Sequence, residues 1–450
     1  MGPAEALAGQ RGPLNREAHL KRFMILFSVA VIATLPAIFL RLTGNRLGPV
    51  IDAAIFGTAV LAAGFMLSWG AEAAEKRISQ GLILAAVALA TVLPEYAVDM
   101  YYAFRAGQAP DSSYVHYAAA NMTGANRLLV GLAWPLMALL HWWRTRQGGI
   151  QLARANVVEI GFLLVASCYS FVIVLKNSIG LGDTVILVAL FIAYLWMAGR
   201  APEGDEGLDA DDEPGPAAAL ASLSATQQWA WMGGLVLLAA LIILGSAEPF
   251  AESIVASGRV LGIDEFLLIQ WLAPLASEAP AVVIAVLFVL SARPEGGMIA
   301  MISDKINQWT LLVGMLPLAM SFGGGRLMSL PLDARQHEEF FLTAAQSLFG
   351  VALLLRLRFG LMAAAVLAGL FSIQVIVAFV YREDAVRAIA SLTWLGWLYL
   401  VLAGILFVLR WKDGWRAIAD WRLLGAASSS DGPAIGGTSP PDRKRRPANS

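Results

Sequence analysis

The sequence has little charge and almost no cysteine. Only 14% of its 450 residues are Asp, Glu, Lys or Arg, whereas soluble domains carry about 25% charged residues. Its one cysteine, Cys168, excludes a disulfide-built secreted domain, and its net charge of -1 argues against a nucleic-acid binder. What is present instead is a series of apolar runs of about twenty residues, each long enough to cross a hydrocarbon core of about 30 Å. This pattern predicts an all-α, polytopic membrane protein.

The apolar runs predict about 10 to 12 transmembrane helices. The segment 340–356 is the shortest of them and ends in Arg356 and Arg358. The distribution of Lys and Arg between the loops predicts that both termini are cytoplasmic, and we expect the protein in the plasma (inner) membrane. The predicted segments are 23–42, 50–71, 81–104, 114–141, 155–175, 180–199, 229–250, 264–291, 296–322, 340–356, 359–381 and 389–410.

Two segments differ in composition from the membrane-spanning body. Residues 200–228 begin with an acidic stretch rich in Pro, Gly and Ala, which predicts a disordered linker between a first half, 1–199, and a second half, 229–410. The stretch lacks the spacing of an EF-hand loop, which favours a solvated linker over a calcium-sensing site. Residues 411–450 are predicted to be a basic cytoplasmic tail, with weak attraction to anionic lipid as the functional alternative.

An internal repeat occupies about residues 50–141 and again about 229–322. In each copy, a helix with an intramembrane Glu near a Pro precedes a helix with a polar segment and the sequence LLVG. The copies begin at the second and seventh predicted helices, so an odd number of crossings makes them enter the membrane from opposite sides. Inverted repeats of this kind are typical of secondary transporters. The first copy contributes Glu95, Asn121–Asn126 and Leu128–Gly131, and the second contributes Glu278, Asp304–Asn307 and Leu311–Gly314.

Glu95 and Glu278 are the candidate ion ligands. Each lies about fourteen residues, or about 21 Å, into its predicted helix, and from opposite faces the two side chains can approach each other. Pro94 and Pro280 remove backbone donors beside them, which leaves carbonyl oxygens available as ligands. An all-oxygen shell suits calcium, whereas the four scattered His and single Cys disfavour zinc or copper. Amide oxygens for this shell come from Asn121, Asn126 or Asn307.

These residues also have structural interpretations. One intramembrane Glu can be a protonated packing residue, but two at equivalent positions beside proline favour a site. Asp99, on the same helical face as the first Glu, is either a third acid or a headgroup-level residue, and its counterpart in the second copy is Val282. Asp304 and Lys305 are either a neutralising pair or part of the site. We expect Arg127 to pair with an acid elsewhere.

The motifs resemble those of the sodium/calcium exchanger family, within the cation/calcium exchanger superfamily. Each alpha-repeat of that family carries a TSxPE helix and a GNxxGSN-type helix. Residues 91–95 match the first motif with Val92 in place of Ser, and residues 121–126 match the second with Ala125 in place of Ser. The resemblance covers about residues 50–322 and implies that Glu95 and Glu278 bind calcium, with Asn126 and Asn307 as amide ligands. The remaining candidates are Asn121, Asp304, Thr91, Ser277 and Asp99.

The resemblance implies a secondary active antiporter that exchanges calcium for sodium by alternating access. Because Val92 and Ala125 replace hydroxyls that serve sodium in the family, calcium/proton exchange is the alternative, and Thr91, Ser277, Thr123 and Ser303 remain as hydroxyl donors. A cation channel is a weaker alternative, since it needs no alternating access. The absence of HExxH, GxSxG and P-loop motifs argues against an enzyme or an ATP-driven pump. We expect inorganic cations and the bilayer as partners and no resident cofactor, and the oligomeric state stays open.

Overall fold

Long helices make up most of the described chain, which comprises residues 3–75, 92–199, 219–220 and 223–412 of a computed structural model. Twelve helices lie in these ranges. Two of them, α4 and α9, are interrupted by a π turn and continue beyond it. The helices are α1 Pro3–Thr43, α2 Pro49–Glu75, α3 Leu93–Gln108, α4 Tyr114–Leu128 (π turn Leu129–Ala133, continuing as Trp134–Thr145), α5 Val157–Lys176, α6 Leu181–Ala198, α7 Ala225–Leu261, α8 Glu265–Leu290, α9 Pro294–Asn307 (π turn Gln308–Leu312, continuing as Val313–Gly324), α10 Ala334–Leu354, α11 Leu361–Val380 and α12 Ala385–Leu409.

Short antiparallel ribbons tie some of the loops together. Strand β1, Gly149–Gln151, pairs with β4, Arg358–Gly360, with Ile150 opposite Phe359. Strand β2, Ser178–Ile179, pairs with β3, Leu330–Pro331. Both ribbons link the first half of the chain to the second, so the halves are joined at their loops as well as by helix packing.

The helical, polytopic fold predicted from the sequence is confirmed. Nine of the described helices have the length and apolar composition to cross a membrane. The other three, α3, α9 and α10, are shorter or carry the polar residues of the interior. Helix α10 begins before the predicted 340–356 segment and is almost entirely buried, whereas α1 and α12 expose large apolar side chains where lipid would contact them.

Some sequence predictions fall outside the described residues. These include Thr91, the first part of the predicted helix 81–104, most of the predicted linker 200–228 and nearly all of the tail 411–450. The proposed boundaries between halves, linker and tail stay predictions.

Close backbone contacts hold the helices of the two repeats together. Helix α3 packs against the second part of α9, and α8 packs against the first part of α4. A Cβ added at Gly107 would lie 1.9 Å from the carbonyl oxygen of Met320, and one added at Gly124 would lie 1.8 Å from that of Gln270. Only glycine permits this approach, as is common between membrane helices.

Candidate functional site

Three carboxyl groups from three helices converge in the interior. Glu95 lies in the first turn of α3, Glu278 in the middle of α8 and Asp304 in the first part of α9. One carboxylate oxygen from each lies within 4.8 Å of the others. Glu95 and Glu278 are only 2% and 5% exposed. We call these residues the carboxylate trio, and they bring acids of both repeats to one point, as the sequence predicted for Glu95 and Glu278.

Proline positions the two glutamates differently. Pro94 lies in the first turn of α3, where backbone N–H groups have no partner within the helix, so the N–H that proline lacks is not needed. Glu95 therefore lies directly at the start of a helix. Pro280 lies inside α8, two residues after Glu278, and there it removes a helical hydrogen bond. The chain thus places one acid at a helix start and the other beside an interrupted helical turn.

The trio has fewer protein partners than its burial demands. Gln308 donates from Nε2 to Oε1 of Glu278 at 2.7 Å, a partner that sequence reasoning missed although it follows Asn307 directly. Oε1 of Glu95 and Oδ2 of Asp304 are buried and accept no hydrogen bond from the described residues. A buried carboxylate without a partner is costly, so protons or a cation must neutralise this group. Carboxylate oxygens are the ligands that hard cations such as calcium prefer.

The side chains of the three candidate asparagines form hydrogen bonds with residues outside the trio. Asn121 donates from Nδ2 to Asp99 at 2.9 Å, so these two form a separate buried pair. Oδ1 of Asn307 accepts from the hydroxyl of Tyr96 at 3.0 Å. Asn126 faces Lys305, which donates to its side chain and its carbonyl. Their predicted role as amide ligands stays a prediction.

Most of the candidate hydroxyls hydrogen-bond within their own helices. Ser277 donates to the carbonyl oxygens of Ala273 and Pro274, each at 3.3 Å. Thr123 donates to a carbonyl of α4 in the same way. Ser303 is the exception, since it accepts from the hydroxyl of Tyr194 at 2.7 Å. The described hydroxyls are therefore already engaged, and none of these contacts is with the trio.

Arg127 pairs with a distant acid, as expected from the sequence. Its guanidinium forms a buried ion pair with Glu339 of α10 and lies 5.1 Å from the centre of the Trp271 ring. Gln270 also donates to Glu339, at 2.7 Å. The charge of Arg127 is therefore compensated by Glu339 of α10 and not by an acid of the trio.

An inverted pair of repeats with buried acids at their junction defines a multi-pass membrane cation transporter. The chain matches the family described as sodium/calcium exchanger protein over residues 49–199 and 231–380. These segments make up more than half of the chain and correspond to its two halves. The protein belongs to this family of exchangers.

Solved structures give the same class. The chain is 37% identical to a protein described as the H+/Ca2+ exchanger CAX, with a TM-score of 0.83, covering 92% of this chain and 100% of that one. In fold it is similar to YfkE, with a TM-score of 0.57 and 14% identity over 79% of this chain and 98% of that one. It is similar as well to the sodium-calcium exchanger NCX_Mj, with a TM-score of 0.50 and 15% identity over 73% and 99%. Among curated proteins, none matches this sequence.

Proposed function

We propose that the protein exchanges calcium for protons by alternating access, with the carboxylate trio binding the two in turn. The observation that carries the proposal is the convergence of Glu95, Glu278 and Asp304 from both repeats. Carboxylates packed this closely repel one another when ionised, so one cation or several protons relieve the same charges. Calcium and protons then compete for the same oxygens, which is the coupling that an antiporter requires.

The engaged hydroxyls favour protons over sodium as the counter-ion. Val92 and Ala125 replace two hydroxyl residues of the family motifs, and Ser277 and Thr123 are bonded to their own helices. A proton needs only a carboxylate, whereas sodium needs several oxygen ligands. The 37% identity to a protein described as an H+/Ca2+ exchanger points the same way. This reverses the slight preference for sodium that the family motifs alone suggest.

The orientation proposed from the sequence completes this function. With both termini in the cytoplasm and the protein in the plasma membrane, an inward proton gradient would drive calcium out of the cell. The basis is the distribution of Lys and Arg between the loops.

Calcium uptake into proteoliposomes tests the proposal. Purified full-length protein is reconstituted with an acidic interior in sodium-free buffer, and the membrane potential is clamped with potassium and valinomycin. We expect calcium uptake that nigericin abolishes by collapsing the pH gradient, and no uptake when an outward sodium gradient at uniform pH replaces it.

The alternatives give different results in this assay. Uptake that requires the sodium gradient would overturn the choice of protons and restore sodium/calcium exchange. Uptake that equilibrates calcium without any counter-ion gradient would indicate a channel. If neither gradient drives calcium, calcium is not the substrate. Glu248→Gln serves as the matched control, because Glu248 pairs with Arg41 at an exposed position.

A further inference from the structure

A lysine amino group lies deep inside the protein beside the trio. Lys305 is 1% exposed and directly follows Asp304. Its Nζ donates to the carbonyl oxygen of Asn126 at 2.8 Å and to Oδ1 of the same residue at 2.7 Å. It also lies 5.3 Å from the centre of the Trp309 ring. Its hydrogen bonds thus go to neutral oxygens of the other repeat rather than to a carboxylate.

The two oxygens of Asn126 supply part of the ligand set of a small cation. The amide nitrogen of Asn126 donates to the carbonyl oxygen of Met122 at 3.1 Å, which turns Oδ1 towards Lys305. Carbonyl and amide oxygens are ligands that hard cations take in proteins. The ring of Trp309 adds a face that attracts positive charge. All these groups are buried, so whatever occupies the position is held away from water.

Only one copy of the repeat has this lysine. The residue separation that relates Glu95 to Glu278 also relates Leu128 to Leu311, and it places Met122 opposite Lys305. Met122 is completely buried and neutral. The first copy therefore fills the equivalent position with an apolar chain of similar length, and only the second carries a charge there.

We propose that Lys305 is a specificity-determining residue whose amino group occupies the cation position at Asn126 and so excludes sodium and other monovalent metal ions from it. This inference rests on the proposed exchange of calcium for protons. Because the amino group already fills this position, a monovalent metal ion cannot bind there beside the trio. Calcium then binds at the trio without a monovalent metal ion beside it. When the empty carrier returns to the other side of the membrane, protons alone neutralise the trio.

Direct binding of sodium tests the inference. Purified full-length protein in detergent is incubated with radioactive sodium and saturating calcium, which keeps the trio occupied. Wild type should bind no saturable sodium. Lys305→Met, which installs the residue of the first repeat, should bind sodium saturably and approach about one ion per protein when the sodium concentration is about ten times the Kd of the vacated position.

A second substitution locates the bound ion. Adding Asn126→Leu to Lys305→Met replaces the amide by a side chain of the same branched shape without the oxygen, and it should return sodium binding to the wild-type level. Lys176→Met is the matched control, because it removes a lysine that pairs with Asp183 instead. If Lys305→Met elutes as aggregate, Lys305→Gln carries the same test, since it keeps a donor for Asn126 without the charge.

Two results would overturn the inference. One is saturable sodium binding by wild type itself, a result that requires no variant to fold. The other is a folded, calcium-binding variant at position 305 that binds no sodium. Neither depends on the gradient assay, so failure of proton coupling in wild type is seen separately.

Discussion

The two repeats place similar helices at the centre of the protein, but the polar side chains on those helices differ. Each repeat has a glutamate on its first inner helix, and a π turn follows the polar segment of the next helix, at Leu129–Ala133 and at Gln308–Leu312. In the first repeat, the second acid is Asp99, which accepts a hydrogen bond from Asn121. The counterpart of Asn121 in the second repeat is Asp304, which belongs to the trio.

This difference shows which features duplication preserved. Both repeats have the glutamate at the equivalent position, and both have a π turn in the next helix, although the two π turns are offset by four residues. Such turns are frequent at functional sites. The remaining charges differ: the second repeat supplies Asp304 and Lys305 where the first has Asn121 and Met122. Each repeat contributes a glutamate to the trio, but only the second adds an aspartate and a lysine beside it, which makes the site asymmetric although the framework is symmetric.

Neutralising either glutamate should have the largest effect. We expect Glu95→Gln and Glu278→Gln each to reduce calcium transport by about 100-fold or more, since loss of one charge in a poorly solvated site weakens divalent binding by several kcal/mol. The measurement is calcium uptake in proteoliposomes, with size-exclusion chromatography to show that the variants are folded. Near-normal transport in either variant would show that this glutamate does not bind calcium. Unequal losses would show that the two glutamates contribute unequally to calcium binding.

Replacing Arg127 tests its ion pair with Glu339, an interaction that only the first repeat forms. Its counterpart is Thr310, which donates to the carbonyl of Ile306 within α9. Arg127→Met leaves Glu339 buried without its ion-pair partner, which should cost about 3–5 kcal/mol of stability. We expect a large drop in the thermal midpoint of the detergent-solubilised protein. Thr310→Val, as the control in the second repeat, should change it little, and equal drops would contradict the assigned asymmetry.

The second acids of the repeats should differ in their effect on calcium. Asp304→Asn removes a carboxylate of the trio, whereas Asp99→Asn changes a group that already accepts a hydrogen bond from Asn121. We expect a loss of calcium affinity of about tenfold or more for the first, roughly 1.4 kcal/mol, and a smaller loss for the second. Calcium binding in detergent measures both. A larger loss at Asp99 would move the site towards the first repeat.

The smallest expected effect comes from a test of how the protein is oriented in the membrane. This orientation decides from which side of the membrane each repeat enters. A cysteine introduced at Ala210, in a Cys168→Ala background, should leave transport unchanged. If the segment 200–228 is cytoplasmic, this cysteine should resist impermeant thiol reagents in intact cells and react after permeabilisation. Rapid labelling in intact cells would reverse the proposed orientation.

The sequence predicts the framework of this protein better than its contacts. Length and hydropathy suffice to predict the helices, and the repeat suffices to predict that Glu95 and Glu278 meet. The partners of Asn126 and Glu278 depend on which faces of α4, α8 and α9 turn towards each other, and single-sequence periodicity is weak in helices that are apolar on all sides. Arg127 could be expected to have an acidic partner, but nothing local in the sequence points to Glu339.

The glycine contacts between the inner helices bear on how the exchanger moves. Where Gly107 meets Met320 and Gly124 meets Gln270, main chain touches main chain with no side chain between them. Small sliding of packed helices relies on side chains that adjust, and these two contacts offer none. We therefore expect helices α3 and α9, and likewise α4 and α8, to move as pairs that carry the three acids with them.

A different kind of contact joins α2 to α7. A Cβ at Gly57 would meet the ring of Phe250, a side chain that can rotate, instead of a fixed carbonyl. We therefore expect the helices to shift more easily at the α2–α7 contact than at the backbone contacts of Gly107 and Gly124. Stiffening the α2–α7 contact, for example with a Gly57→Ala substitution, would slow the turnover of the exchanger without altering what it binds.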